Sequence, residues 1–318
     1  MDWKGALEHS FDAAKPCLGE GDVADYIPAL ASADPNAFAM AVAGVDGTAA
    51  SIGADDTAFS IQSISKVFTL MMALSRRKNT LWKRVGREAS GSKFNSIVQL
   101  ERERGVPRNP FINAGAIVVT DTIVSDCSSD NPADIVLSNV CAAADSDDPQ
   151  INEEVAKSEE AWGDRNRSLA YFAKSFDNLE NEADAVLKTY FRQCAIEMTV
   201  CDLARAGLFL ACGGKDPLTG KRFLTRAQAN RVNALMMQNG HYDMSGDFAF
   251  RVGLPGKSGV GGGILAIAPG SCAIAVWSPG LNDAGNSLAG TVALEAFTDC
   301  TGLNVFSDKT PRASDYRD

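Results

Sequence analysis

Two serines and a lysine stand close together in the stretch AFSIQSISKVFTL, residues 58–70, where Lys66 enters a run of apolar side chains. A lysine carried into an apolar helix loses hydration, and desolvation lowers the pKa of its ammonium until the amine can accept a proton. Residues three apart share a helical face, so Ser63 is the serine paired with Lys66, whereas Ser65 points away from it. A helix starting close to Ser63 also brings its positive dipole end to that hydroxyl, favouring an alkoxide and then an anionic tetrahedral intermediate. S-x-x-K therefore supplies a nucleophile and its base within one helical turn and without histidine. The two histidines, His9 and His241, have no triad context. The bland reading of the same tetrapeptide is a helix start followed by a lysine whose stem lies along apolar neighbours.

The elements needed to hold such a pair are legible in the flanking sequence. Alternation in AFAMAVAGVDGTAASIG, residues 37–53, predicts two strands joined at Asp46-Gly47, and a third, edge strand is expected around TAFSIQ. From Ser63 onward Val67, Phe68, Leu70, Met71, Met72 and Leu74 cover nearly every face, the pattern of a helix buried all round. Residues 75–245 read as a helical insert, interrupted by the acidic ADSDDPQINEE, which is expected to be a mobile loop. Beyond 245, FAFRVGLPGKSGVGGGILAIAPGSCAIAVWSP returns to strands broken by Gly and Pro, and SLAGTVALEAFTDCTG closes with a helix. The expectation is one α/β (α+β) domain over 1–318. Its antiparallel sheet comes from both chain ends, about 20–75 and 245–310, with helices from about 75 to 245 between them.

Composition narrows the partners. With 45% apolar and 22% charged residues among 318 the chain is ordinary globular protein, and its formal charge of −10 argues against nucleic acid. The acidic N-terminal stretch lacks the basic and apolar regions of a signal peptide, and no apolar run reaches membrane-spanning length. A cytoplasmic protein with no membrane partner is expected. The eight cysteines (Cys17, Cys127, Cys141, Cys194, Cys201, Cys212, Cys272, Cys300) have neither C-x-x-C pairing nor histidines at ligand spacing, and are expected to be buried thiols.

A second motif, KSGVGGG at Lys257–Gly263, resembles the K-[ST]-G strand that lines the sites of serine penicillin-recognising enzymes. Together with VADYIPALA, QSISKVF, RNPFINAGAI, SEEAWGDRNRSLA, TYFRQCA, GHYDMSGDFAFRVGLPGKSGVGGGI and GNSLAGTVALE, it makes the chain resemble the glutaminase A family of β-lactamase-like amidases from about Val23 to Phe306. The resemblance implies hydrolysis of L-glutamine to L-glutamate and ammonia through a glutamyl-serine intermediate, with no metal or organic cofactor. It also implies a homo-oligomer. Ser63 matches the nucleophile and Lys66 its base; Tyr26, Asn113, Glu159, Asn166, Tyr190, Tyr242 and Val260 match the substrate-contacting set.

Each assignment suits glutamine. Glu159 offers a carboxylate to the α-ammonium, and Asn113 and Asn166 offer neutral donors to the α-carboxylate. The implied oxyanion donors are the amides of Val260 and Ser63, and either Tyr26 or Tyr242 is to pass a proton to departing ammonia. Outside the resemblance Glu159 reads as a solvated carboxylate, Asn113 as a turn residue, and Tyr190 and Tyr242 as core or rim aromatics. A β-lactamase or D,D-peptidase is the rival reading, weakened because a clear deacylation E-x-x-x-N is absent from the sequence. A non-catalytic amino-acid sensor on the same scaffold is the rival of another class.

Overall fold

In the computed structural model, residues 1–91, 95–127 and 131–307 are described; the expected sheet boundary near 310 and the end of the expected 1–318 domain lie outside them. Period-two alternation builds β1 (Ala39–Gly44) and β2 (Ala49–Gly53), which pair antiparallel with Ala41 opposite Ser51. Their turn falls at Asp46-Gly47 as expected, Gly47 taking φ 85°. The short strands β3 (Phe59–Ser60), β4 (Gln150–Ile151) and β5 (Ile196–Met198) follow, then β6 (Gly256–Ser258), β7 (Gly263–Ala268) and β8 (Cys272–Trp277). The main sheet is antiparallel in the order β2-β1-β8-β7-β6, so strands from both ends of the chain meet at the β1–β8 pair.

Helices cover both faces of that sheet. They are α1 (Trp3–Ala14), α2 (Ser65–Arg77), α3 (Ile97–Arg102), α4 (Asn113–Ser125), α5 (Pro132–Ala144), α6 (Glu153–Ala161), α7 (Asp164–Lys174), α8 (Ala183–Cys194), α9 (Val200–Ala211), α10 (Arg226–Asn239), α11 (Ser245–Arg251) and α12 (Leu288–Thr301). Alternate strand residues face opposite ways. Met40, Ile264, Ala266, Ile274 and Val276 pack with Trp3 and Leu7 of α1 and Leu294 and Phe297 of α12. Ala41, Leu265, Ile267, Ala273 and Ala275 pack with Leu203, Ala206 and Phe209 of α9. The latter core also takes in α2, whose residues from Ser65 to Leu74 are all buried, as the all-round apolar pattern predicts.

Four expectations are corrected. TAFSIQ is not an edge strand of the main sheet: only Phe59–Ser60 is extended, and it pairs with β5 in a second sheet of order β3-β5-β4. The acidic segment is not a free loop throughout, because Gln150–Ile151 pairs with β5 and Asn152 caps α6, its Oδ1 accepting from the Glu154 and Val155 amides at 3.0 Å. Phe248–Arg251 is helical. The alternation of FAF arises because Phe248 stacks on His241 at 3.6 Å while Phe250 is 89% exposed. The cysteines also differ: Cys194 and Cys272 are buried, but Cys201 and Cys300 are exposed.

Candidate active site

The chain enters α2 through a 3-10 turn, Gln62–Ile64. Ser63 sits in that turn and Lys66 in the first turn of α2, so the two keep the three-residue spacing that favours a common face. Gln62 takes φ 48°, a conformation seldom adopted outside glycine and held here by its surroundings. Its Nε2 donates to Ser60 Oγ at 3.0 Å, Ser60 Oγ donates to the Cys194 carbonyl at 3.0 Å, and its side chain also hydrogen-bonds Glu159. The small sheet, through β3, and the ends of α6 and α8 thereby fix the approach to Ser63.

Lys66 is 1% exposed. Among the described residues its Nζ donates to Asn113 Oδ1 (2.7 Å) and the Phe111 carbonyl (3.2 Å), and the Ser63 hydroxyl pairs with that of Tyr242. Burial lowers the Lys66 ammonium to about 8, against smaller opposing effects of Cys194 and Glu159. Asn113 opens α4 and passes the network on, its Nδ2 donating to Asn166 Oδ1 at 2.9 Å. The preceding turn is set by Asn109, whose Oδ1 accepts from the Phe111 and Ile112 amides at 3.0 and 3.1 Å. Gly115 completes it, since a Cβ there would strike the Asn109 carbonyl.

The glycines of KSGVGGG act by close approach. A Cβ on Gly259 would sit 2.5 Å from the Ile61 carbonyl, and one on Gly261 would strike that of Ser60, so the β6–β7 turn lies directly on the backbone leading to Ser63. Val260 stands between them. Among the described residues neither the Ser63 nor the Val260 amide donates a backbone hydrogen bond. Tyr242 lies in a second 3-10 turn with φ 56°.

Glu159 on α6 is 8% exposed, and burial raises its carboxyl to about 7, with the Gln62 hydrogen bond and Lys66 pulling the other way. Cys194, at the end of α8, is pushed up to about 12 by burial, with Glu159 raising it further and Lys66 pulling the other way. It is therefore a neutral thiol.

A pocket of about 250 Å³ brings together Tyr26, Ser63, Asn113, Glu159, Asn166, Tyr190, Tyr242 and Val260, with Lys66 directly behind Asn113. Tyr26 is half exposed, whereas Tyr190 and Tyr242 are buried. Sequence reasoning missed Gln62, Cys194, Asn95, Trp162 and Arg165, which share the lining. Gln62 adjoins the motif and carries no signal of its left-handed backbone; Cys194 reads as one apolar position in an amphipathic helix. A larger hollow of about 450 Å³ shares only Val260 with this pocket and is lined by neither Ser63 nor Glu159.

An antiparallel sheet drawn from both chain ends, with a Ser-x-x-Lys turn at the floor of a small polar pocket, defines a hydrolase of the β-lactamase-like fold. The model of the family described as Glutaminase matches residues 21–306. A glutaminase of Agrobacterium fabrum is 55% identical over 306 residues, covering 96% of this chain and 99% of that protein. A thermolabile glutaminase of Rhizobium etli is 54% identical over 307 residues, with the same coverage. Among solved structures, the probable glutaminase ybaS superposes with a TM-score of 0.88 at 37% identity, over 96% of this chain and 99% of that one. A probable glutaminase from Bacillus subtilis complexed with 6-diazo-5-oxo-L-norleucine gives 0.85 at 32% identity, over 96% and 98%. The chain belongs to the glutaminase family and is a glutamine-hydrolysing enzyme.

Proposed function

We propose that the hydrolysis of L-glutamine to L-glutamate and ammonia runs through Ser63. Neutral Lys66 removes the Ser63 proton as the oxygen attacks the side-chain amide carbon. The amides of Ser63 and Val260 take the oxyanion, whose charge the start of α2 also favours. Tyr242, bonded to Ser63 and buried beside Lys66, passes the proton to the departing nitrogen. Ammonia leaves, and water attacks the glutamyl-Ser63 ester with the same groups acting in reverse. Half-exposed Tyr26 closes the rim in this reading and carries no proton. Glu159 binds the α-ammonium, Asn113 and Asn166 the α-carboxylate, and Tyr190 forms the wall between them.

One observation carries the reading: a buried amine of lowered basicity is wired through Asn113 to a pocket that holds Ser63 at one side and a buried carboxylate at the other. Ammonia release from L-glutamine by the purified protein and by Ser63→Ala tests it, and turnover by the variant would remove Ser63 as nucleophile. In parallel, a diazoketone glutamine analogue is expected to label Ser63 alone, with protection by excess glutamine; a label on Cys194 in peptide mass spectrometry would contradict the assignment. We further read the chain as one domain and as a cytoplasmic homo-oligomer. The seven scattered free thiols outside the site support the cellular location.

A further inference from the structure

Lys257 is a second buried lysine that the proposed chemistry does not use. It lies in the middle of β6 with no exposed surface. Its Nζ donates to the Gly240 carbonyl at 2.9 Å and the Ser258 carbonyl at 2.6 Å, and stands 4.3 Å from the centre of the Tyr242 ring and 6.0 Å from that of Phe111. The Lys66 Nζ is 5.6 Å from the same Tyr242 ring centre. Two amines thus share one aromatic ring, and among the described residues neither has a carboxylate within ion-pair distance. Both cannot easily be charged, because like charges in a dry interior repel and each already lacks hydration.

We propose that, as pH rises through the neutral range, Lys66 is the amine that gives up its proton while Lys257 keeps its charge, acting as a positioning residue that leaves Lys66 the free base. This rests on the reading of Lys66 as the base. The cages differ in kind. Lys257 is enclosed by two backbone carbonyls and two ring faces, all fixed and all favouring an ammonium. Lys66 has one backbone carbonyl, that of Phe111 at 3.2 Å, and rings no nearer than 5.6 Å, and its shortest contact is to the carboxamide oxygen of Asn113, a side chain that also faces the pocket and is bonded to Asn166. The titratable groups facing Lys66 are Glu159 on α6, Tyr190 and Cys194 on α8, Tyr242, and Lys257 on β6. Those facing Lys257 are Lys66, Cys194, Tyr242 and His241, and burial with Lys257 keeps the His241 ring neutral.

Burial lowers both amines and the Lys66 charge lowers Lys257 further, so the fixed groups around each amine must decide which proton is lost. Glu159 is the carboxylate that favours charge on Lys66, and it does not act appreciably on Lys257. A substrate ammonium pairing with Glu159 cancels that support. Substrate binding therefore pushes Lys66 toward the free amine and leaves the carbonyl cage of Lys257 untouched. The same cage secures the Tyr242 turn, because the Gly240 carbonyl accepts from Lys257 Nζ and also from the Ser258 amide at 3.2 Å and hydroxyl at 3.3 Å.

The test has two arms. In Lys257→Met, with folding checked by circular dichroism, the acid limb of kcat is expected to move up by about one pH unit, as loss of a nearby charge at an effective dielectric of about 20 implies. In that complex Glu159 is paired, so the limb reports Lys66. A fall in kcat with the limb in place would reduce Lys257 to a structural role and overturn the proposal. The second arm needs no variant of Lys257: the wild-type enzyme labelled with 13C-lysine is titrated by NMR between about pH 6 and 9, with Lys66→Met assigning the signals. Lys257 should stay at the charged shift while Lys66 titrates; a neutral Lys257 in this range overturns the proposal even if the Met variant does not fold. Should Lys66 titrate as described while Lys66→Met still hydrolyses glutamine, the order of proton loss stands and the catalytic assignment of Lys66 falls.

Discussion

Glu159 and Lys66 are each held where their charged forms are disfavoured, and this gives a stability signature separable from activity. The carboxyl of Glu159 is raised from 4.5 to about 7. A raised folded-state pKa contributes stability that is full below the unfolded value and is lost as pH rises through the folded one. Glu159→Gln should therefore raise the Tm at pH 8 but give no gain near pH 4, the difference amounting to at most about 3 kcal/mol. Thermal melts at the two pH values decide it, and an equal shift at both would place the carboxylate in a balanced ion pair instead. For Lys66, lowered from 10.5 to about 8, the penalty is full below the folded value and fades as pH rises toward the unfolded one, so Lys66→Met should stabilise at neutral pH. Both stabilised variants should be poor enzymes. Selectivity follows from the same carboxylate: N-acetyl-glutamine and glutaramate, which offer it no ammonium, should be hydrolysed far more slowly than glutamine, and Glu159→Gln should narrow the gap to glutaramate. At the serines, Ser63→Ala should abolish ammonia release while Ser65→Ala, buried beside the Cys194 thiol, keeps substantial activity. Equal losses in two folded variants would show the pairing with Lys66 to be misassigned.

Two turns, not two helices, aim the chemistry at the scale of elements. The 3-10 turn at Gln62–Ile64 and the glycine turn at 259–262 touch along their backbones, so the amides of Ser63 and Val260 are placed relative to each other by contacts that tolerate no Cβ. Gly259→Ala would press on the Ile61 carbonyl and separate the two donors. Its expected effect is a fall in kcat on the order of 100-fold with little change in KM, since an oxyanion contact is made chiefly in the transition state. Val260→Ala keeps the amide and should keep most of the activity. Steady-state kinetics of the pair separate the readings: a larger loss from Val260→Ala than from Gly259→Ala would mean that the valine side chain, not the turn, is what the site needs.

At the scale of the molecule, the helices between the two sheet-forming ends do not stand apart from the sheet. α9, from the middle of the chain, packs its Leu203, Ala206 and Phe209 on the face of Ala41, Leu265 and Ala275, and the same core runs through α2 to Phe111, Val119 and Val136. A chain sharing one core across its parts should unfold as a unit. Calorimetry is expected to give a single transition whose van't Hoff and calorimetric enthalpies agree. Two resolved transitions would make the residues from about 75 to 245 an independent unit and end the one-domain reading.

The sequence by itself determined the local and periodic features. Alternation marked β1 and β2, β-branched runs broken by Gly and Pro marked β7 and β8, all-round apolar residues marked buried α2, Asp46-Gly47 marked a hairpin, and the spacing of Ser63 and Lys66 marked their common face. These are legible because each depends on neighbours within about one turn or one strand. Only the tertiary structure decided the rest. The sequence gives no warning that Phe59–Ser60 pairs with Ile196–Met198 and not with the main sheet, that Gln62 and Tyr242 take left-handed backbones, or that Cys194 seals the pocket. The same holds for the two lysines from opposite ends of the chain that meet at one tyrosine ring. The physical reason is common to all of them: strand partners, strain and depressed basicity are fixed by contacts beyond the reach of one turn or one strand, and a local pattern of residue types carries no record of which distant surface will cover it.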